Sequence, residues 1–226
     1  MSDFPCPYGA CDGSGMVLDP DANAARPCRC WEQRMATRRA RQLSHHIPRR
    51  YREAGFDRYP ANAIDADAVA EARRYCDEID DRLDRGEGIW FIGPKGTGKT
   101  TLAMIISKYA LKAQRSVAIY TAPVLLAHIA ATYEQDAHHT YLQFMDRLAA
   151  VDLLHIDDMA VARQTEWMLE QLYTVINRRY EDQRSVVFTT DRSDLGACIG
   201  DRAFSRLQEM CGEFVAVDGA DARATY

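Results

Sequence analysis

GIWFIGPKGTGKTTLAMIISKYALKAQ, residues 88–114, divides into three parts. Ile89 to Ile92 form a short run of β-branched and aromatic residues, which predicts a buried strand. GPKGTGKT, from Gly93 to Thr100, fits the spacing G-x-x-x-x-G-K-[ST]. The residues after it run without Gly or Pro to Gln114 and predict a helix. A glycine-rich turn between a strand and a helix lets successive backbone N–H groups curl around an anion, at the positive end of the helix. Gly93, Pro94, Lys95, Gly96, Thr97, Gly98, Lys99, Thr100 and Thr101 are therefore the expected phosphate-contacting residues. Lys99 is placed to reach β- and γ-phosphates, and the Thr100 hydroxyl to ligate Mg²⁺.

Outward from this stretch the chain alternates. SVAIYT, VDLLHIDD and SVVFTTD predict strands, and EFVAV a last one. Between them, APVLLAHIAATY, HTYLQFMDRLAA, TEWMLEQLYTVINRRYEDQ and DRAFSRLQEM predict helices. Upstream, Val69, Ala72, Tyr75, Cys76, Ile79 and Leu83 follow a helical period, closed by Gly86 and Gly88. Short apolar strands alternating with helices imply an α/β fold with a parallel sheet covered on both faces. No internal repeat is present.

Three further elements fall where such sheets bind ligands, at the carboxyl ends of the strands. LLHIDDMA places Asp157 and Asp158 at one strand tip. Asp157 could hold Mg²⁺ and Asp158 orient or deprotonate an attacking water, or the pair could serve as a turn or helix N-cap. SVVFTTD ends in Thr190 and Asp191, either water-positioning groups or an ordinary Thr-Asp turn. In IGDRAFSRLQEM, Arg202 and Arg206 lie one helical turn apart. They are either solvated surface charge or the positive group that a nucleoside-triphosphatase takes from a neighbouring subunit.

Composition bounds the rest. The 226 residues are 47% hydrophobic and 27% charged, enough for one globular core without disulfide staples. The apolar runs are too short to span a bilayer, and no charged start leads into an apolar leader, so a cytoplasmic protein without membrane attachment is expected. The net charge of −5 conceals segregation. Residues 26–52 are arginine-rich with one acid, Glu32, whereas residues 65–87 are mostly acidic. The basic segment, helical from Trp31 to about residue 43, suits DNA phosphates or an acidic protein face, or is a solvated helix. Between Thr121 and Ala150, Arg147 is the sole Lys or Arg.

The opening segment lacks an apolar period but holds Cys6, Cys11, Cys28 and Cys30, spaced C-x4-C-x16-C-x-C. Four thiolates on two short loops can close a tetrahedral Zn²⁺ site and supply folding energy that the segment otherwise lacks. The alternatives are unpaired surface thiols, or a ligand set that includes His45 or His46. Cys76, Cys198 and Cys211 lie in helical or apolar contexts that suit core residues. Three regions follow: residues 1–46, a cysteine-rich module and basic helix; residues 47–64, a connector; and residues 65–226, the nucleotide-binding domain.

GPKGTGKT, the IDD pair, FTTD and GDRAFSRLQEMC together resemble the AAA+ ATPases of the DnaC/DnaI helicase-loader type, with IstB-type transposition ATPases as near relatives. The likeness runs from about Ile47, in IPRRYREAGFD, to the C-terminus. The opening cysteines resemble the cysteine-rich segment of DnaI-like and phage loaders. The resemblance implies Lys99 and Thr100 at Walker A, Asp157 and Asp158 at Walker B, Asp191 at sensor 1, and Arg206 as arginine finger with Arg202 nearby. It places Arg223 at the family's late arginine, near nucleotide. It also implies ATP/ADP, Mg²⁺ and structural Zn²⁺, self-assembly through the finger, and as partners a replicative DNA helicase and single-stranded DNA. Sensor 1 is usually Asn in that family, so Asp191 bears on hydrolysis rate more than on nucleotide binding. An IstB-like transposition helper, or an ATP-switched binding module with vestigial hydrolysis, are the alternatives.

Overall fold

A computed structural model describes residues 6, 8–19, 24–31, 47–58, 60–133, 138–159, 165–191 and 193–221. Most of the predicted basic helix, His45, His46 and Arg223 lie outside the described residues.

Five parallel strands form the central sheet: β3 (Ile89–Ile92), β4 (Val117–Thr121), β5 (Leu153–Asp157), β6 (Ser185–Thr190) and β7 (Val215–Ala216). Their spatial order is β4-β5-β6-β3-β7, so β6 lies between the strand leading to the phosphate loop and the strand ending in the acidic pair. Nearly every residue of β3 to β6 is buried, and successive side chains serve opposite faces. Ile89, Phe91, Val117, Ile119, Leu153 and Val187 enter one core. Trp90, Ala118, Tyr120, Leu154, Ile156, Val186 and Phe188 enter the other.

The first core is covered by α1 (Ala66–Asp77), α2 (Ile79–Asp84) and α3 (Lys99–Lys112). Asp65 caps α1, its carboxylate accepting from the Ala68 amide at 2.9 Å. The single helix expected over residues 65–85 is two, broken at Glu78, whose φ and ψ of −102° and 20° leave the helical range. No Gly or Pro marks the break. It keeps Ile79 and Leu83 buried while Arg82 pairs with Glu78 and Glu87, each at 2.8 Å. The lead-in to α1 is also packed here, with Ala54, Phe56, Ala61 and Ile64 buried. Lys108 of α3 donates to the carbonyls of Arg52 and Ala54 at 2.6 and 2.5 Å.

The second core is covered by α4 (Ala122–Ala131), α5 (His138–Ala150), α6 (Glu166–Glu181), α7 (Leu195–Ile199) and α8 (Asp201–Cys211). The short helix α7 is a structural addition to the expected elements. At the amino edge of the sheet, fully buried Arg179 donates to the carbonyls of Leu148, Val151, Asp152 and Ser185 at 2.6–3.2 Å. One cation thus ties the end of α5 to the starts of β5 and β6. Its desolvation lowers the guanidinium pKa to about 9.

Ahead of this core, β1 (Met16–Asp19) pairs antiparallel with β2 (Ala24–Pro27). The hairpin was not expected from the sequence. Every residue of β2 is exposed, and Leu18 is 79% exposed, so no apolar alternation announces it.

Candidate functional site: the phosphate loop and its acidic partners

The loop between β3 and α3 turns on Gly98, whose φ of 103° puts it in the left-handed region at the helix N-cap. A Cβ there would run into the Ile64 side chain. Thr97 Oγ1 donates to the Pro94 carbonyl at 3.0 Å. The Lys99 ammonium donates to the carbonyls of Gly93 and Pro94 at 2.7 and 2.6 Å, poised over the loop. At Gly96, φ is 83°, and a Cβ would meet the carboxylate of Asp221. The chain after β7 thus folds back across the loop; the Val217 amide donates to the Ile92 carbonyl at 2.7 Å on the way.

Parallel pairing brings three hydroxyl and carboxyl groups together beside the loop. The Thr100 hydroxyl donates to Asp157 Oδ1 at 2.8 Å. β5 and β6 pair Ile156 with Phe188, so the next residues, Asp157 and Thr189, are neighbours. The Thr189 hydroxyl donates to the same Asp157 oxygen at 2.7 Å and accepts from the Asp158 amide at 3.0 Å. Asp158 itself has a φ of 53°, an uncommon conformation for a residue other than glycine. Two donors on one Asp157 oxygen fix that carboxylate and leave its other oxygen for a cation. A divalent ion at this place would find the hard oxygen ligands it prefers in Thr100 and Asp157.

Desolvation by burial, then the charges of Asp191 and Asp157, raise the pKa of Asp158 above the ordinary carboxylate range, against the pull of Lys95 and Lys99. A carboxylate so shifted is better suited to take a proton near neutral pH. Asp191 sits at the tip of β6, 3.6 Å from Lys95. Thr190 is buried.

Behind Asp157, His155 is fully buried and its pKa falls to about 4, chiefly through desolvation. The Ser107 hydroxyl donates to the Ala103 carbonyl at 3.0 Å, so its 2.9 Å contact with Nδ1 requires the imidazole to be the donor. His155 is therefore neutral and acts as a packed support of the strand.

The structure brings Lys99, Thr100, Asp157, Asp158 and Asp191 to one sheet edge, as their motif spacing implies. Arg206 lies elsewhere, against Asn177 and Tyr180 of α6, and Arg202 is exposed on the same helix. Sequence reasoning missed Thr189. A hydroxyl in a buried strand carries no motif, and only the register beside Asp157 shows its use.

The four N-terminal cysteines converge. One sulfur from each lies within 4.8 Å of all the others, with Cys6–Cys28 at 3.8 Å and Cys11–Cys30 at 3.6 Å. Tetrahedral Zn–S bonds of about 2.3 Å imply S···S separations of roughly 3.8 Å, so the set fits Zn²⁺. Burial and neighbouring sulfurs raise Cys30 to about 12. At Cys6 desolvation acts upward, but the amides of Ala10, Tyr8 and Cys11 prevail and lower it to about 6.

A parallel sheet of this order, with a phosphate loop after β3 and an acidic pair after β5, defines a P-loop core of the AAA+ type. The family model described as "IstB-like ATP binding protein" matches residues 24–206, and the chain belongs to that family. Among curated proteins it is similar to the replicative helicase loader DnaC of Buchnera aphidicola subsp. Acyrthosiphon pisum (strain APS). The two are 24% identical over 161 residues, 70% of this chain and 64% of that protein. The chain therefore spans less than two thirds of that relative's length. Among solved structures, the DnaC helicase loader superposes with a TM-score of 0.64 at 22% identity, over 75% of this chain and 99% of that one. DnaI does so with a TM-score of 0.62 at 18% identity, over 81% and 98%. Among the described residues no helix is long and apolar enough to cross a membrane.

Proposed function

We propose that the chain is an ATP-hydrolysing helicase loader, which docks on a replicative DNA helicase and helps place it on single-stranded DNA during replication. The observation that carries the ATPase is the cluster in which Thr100 and Thr189 both bond Asp157 Oδ1, at 2.8 and 2.7 Å beside the phosphate loop. Thr100 and Asp157 would hold Mg²⁺, which supplies charge neutralisation on the phosphates. Lys99 and the loop amides bind ATP, and Arg223, as the family's late arginine, is assigned to the same nucleotide. Asp158 accepts the proton of the water that attacks the γ-phosphorus, and Asp191 borders that water. Arg206, with Arg202 a turn away, serves the nucleotide of a neighbouring subunit, so the isolated chain turns over slowly.

The cysteine module, closed by Zn²⁺ on Cys6, Cys11, Cys28 and Cys30, is the helicase-gripping part, joined to the ATPase by the basic helix. ATP hydrolysis or ADP release then frees helicase or DNA. The relatives named as helicase loaders support this reading over a transposition helper. The match to the IstB-like family leaves an IstB-like transposition helper, acting on a transposase and duplex DNA, as the second reading.

The test is unwinding of an oligonucleotide annealed to a closed single-stranded circle, where a ring helicase has no free end to thread. The loader reading expects unwinding only when helicase, this protein and ATP are all present, and its loss with Lys99→Ala. Equal unwinding with and without the protein would contradict it.

A further inference from the structure

The two arginines of α8 are held differently. Arg202 is exposed, whereas Arg206 sits in a cradle. Its guanidinium carbon lies 4.2 Å from the centre of the Tyr180 ring, Nε donates to Asn177 Oδ1 at 3.3 Å, and Nη1 stands 4.0 Å from Glu209 Oε1. The cradle is itself braced. The Tyr180 hydroxyl donates to Glu209 Oε2 at 2.6 Å, and Asn177 Nδ2 donates to Glu181 Oε1 at 2.9 Å, which turns the amide oxygen to Arg206. The bond to Glu209 raises the Tyr180 phenol above its ordinary pKa, so it remains a donor.

The geometry is unlike a stabilising ion pair. A half-exposed pair at 4.0 Å contributes little to folding. A bidentate carboxylate would hold the cation more tightly but would also neutralise it. Here one Glu209 oxygen is engaged by Tyr180 and the other stays at a distance. The ring face fixes the plane of the guanidinium without cancelling its charge. The Arg206 side chain keeps 35% of its surface exposed. A long flexible cation is thus ordered while still available to an external anion, which is how preorganisation lowers the entropy cost of a later contact.

We propose that Asn177 and Tyr180 are positioning residues that present Arg206, pre-oriented, to the γ-phosphate bound by a neighbouring subunit. This rests on the reading that Arg206 acts in trans, and the experiment separates the two.

Steady-state ATP hydrolysis is measured for the full chain at concentrations where it assembles, with single-stranded DNA, for Arg206→Ala, Tyr180→Leu, Tyr180→Phe and Asn177→Ala. The expected result is a collapse of kcat for Arg206→Ala. For Tyr180→Leu and Asn177→Ala, kcat falls roughly 10-fold or more with KM for ATP unchanged. Tyr180→Phe, which keeps the ring face, stays within about threefold of the native chain. Mixing Tyr180→Leu with Lys99→Ala subunits, whose cradle is intact, restores turnover at the Tyr180→Leu nucleotide sites. A purely structural defect would not be rescued by mixing. If Arg206→Ala collapses kcat while Tyr180→Leu and Asn177→Ala leave it unchanged, the cradle is overturned and the trans reading stands. If Arg206→Ala itself has no effect, the trans reading fails and the cradle with it.

Discussion

Thr189 and Asp157 are joined across two adjacent parallel strands by a 2.7 Å hydrogen bond, with the threonine hydroxyl as donor. The same hydroxyl accepts from the Asp158 amide at 3.0 Å, so one side chain sets both members of the acidic pair. Thr189→Val removes both bonds at nearly constant volume. It should lower kcat for ATP hydrolysis by about 10- to 100-fold, since small misplacements of reacting groups cost that much. It should also raise the Mg²⁺ concentration needed for half-maximal rate. Thr189→Ser should retain most activity. A magnesium titration of the hydrolysis rate checks both.

Burial raises the Asp158 pKa first, and like-charge repulsion from Asp191 adds to it. Because the base must be ionised to act, the rate should fall in acid along a limb that lies above the ordinary carboxylate pKa. Asp191→Asn removes one negative charge from beside Asp158 and from near the proposed place of the γ-phosphate. The limb should then move to lower pH and the affinity for ATP should rise. A kcat–pH profile of the two proteins decides this; a limb that stays in place would remove Asp191 from the electrostatics of the base.

Asp221 stands where a Cβ on Gly96 would lie, next to amides expected to receive phosphate. A carboxylate there adds negative charge where an incoming polyphosphate would bind. Asp221→Asn should therefore tighten ATP binding several-fold, about 1 kcal/mol for a removed like charge near the surface. Equilibrium titration with a fluorescent ATP analogue measures it. Weaker binding would instead show that the carboxylate contacts the nucleotide favourably.

His155 couples folding to pH. Its folded pKa of about 4 lies below the ordinary value of 6.5, so the unfolded chain binds the extra proton first. Its neutral form contributes stability that is complete above pH 6.5 and is lost as the pH falls from 6.5 towards 4. Urea midpoints should decline over that window, and less steeply in His155→Gln.

Arg179 offers a test of stability alone. Arg179→Met would leave the carbonyls of Leu148, Val151 and Ser185 buried without their donor. The loss should be about 3 kcal/mol or more, read as a lower urea midpoint.

Much of this arrangement could be read from residue types and spacing. Alternate residues of IWFI, VAIYT and VVFTT divide between two cores, and that alternation with intervening helical periods is what a doubly covered parallel sheet needs. Lys99, Thr100, Asp157 and Asp158 could be found because their roles demand fixed residue types next to a glycine turn or a strand end. Thr189 could not, since its role arises from pairing between strands about thirty positions apart in sequence. The β1–β2 hairpin escaped for a different reason. No residue of β2 is buried, and the four converging cysteines sit outside both strands. The break at Glu78 is likewise set by tertiary packing of Ile79 and Leu83.

A zinc-closed cysteine module is proposed to couple this nucleotide-binding core to a replicative helicase. Its most direct measurement is co-elution of the full chain with the replicative helicase of its source, with and without ATP·Mg²⁺, repeated with Cys28→Ser and Cys30→Ser combined. The expected result is a complex with the native chain and none with the double variant, whose ATP binding persists. No complex with the native chain under any nucleotide condition would contradict it.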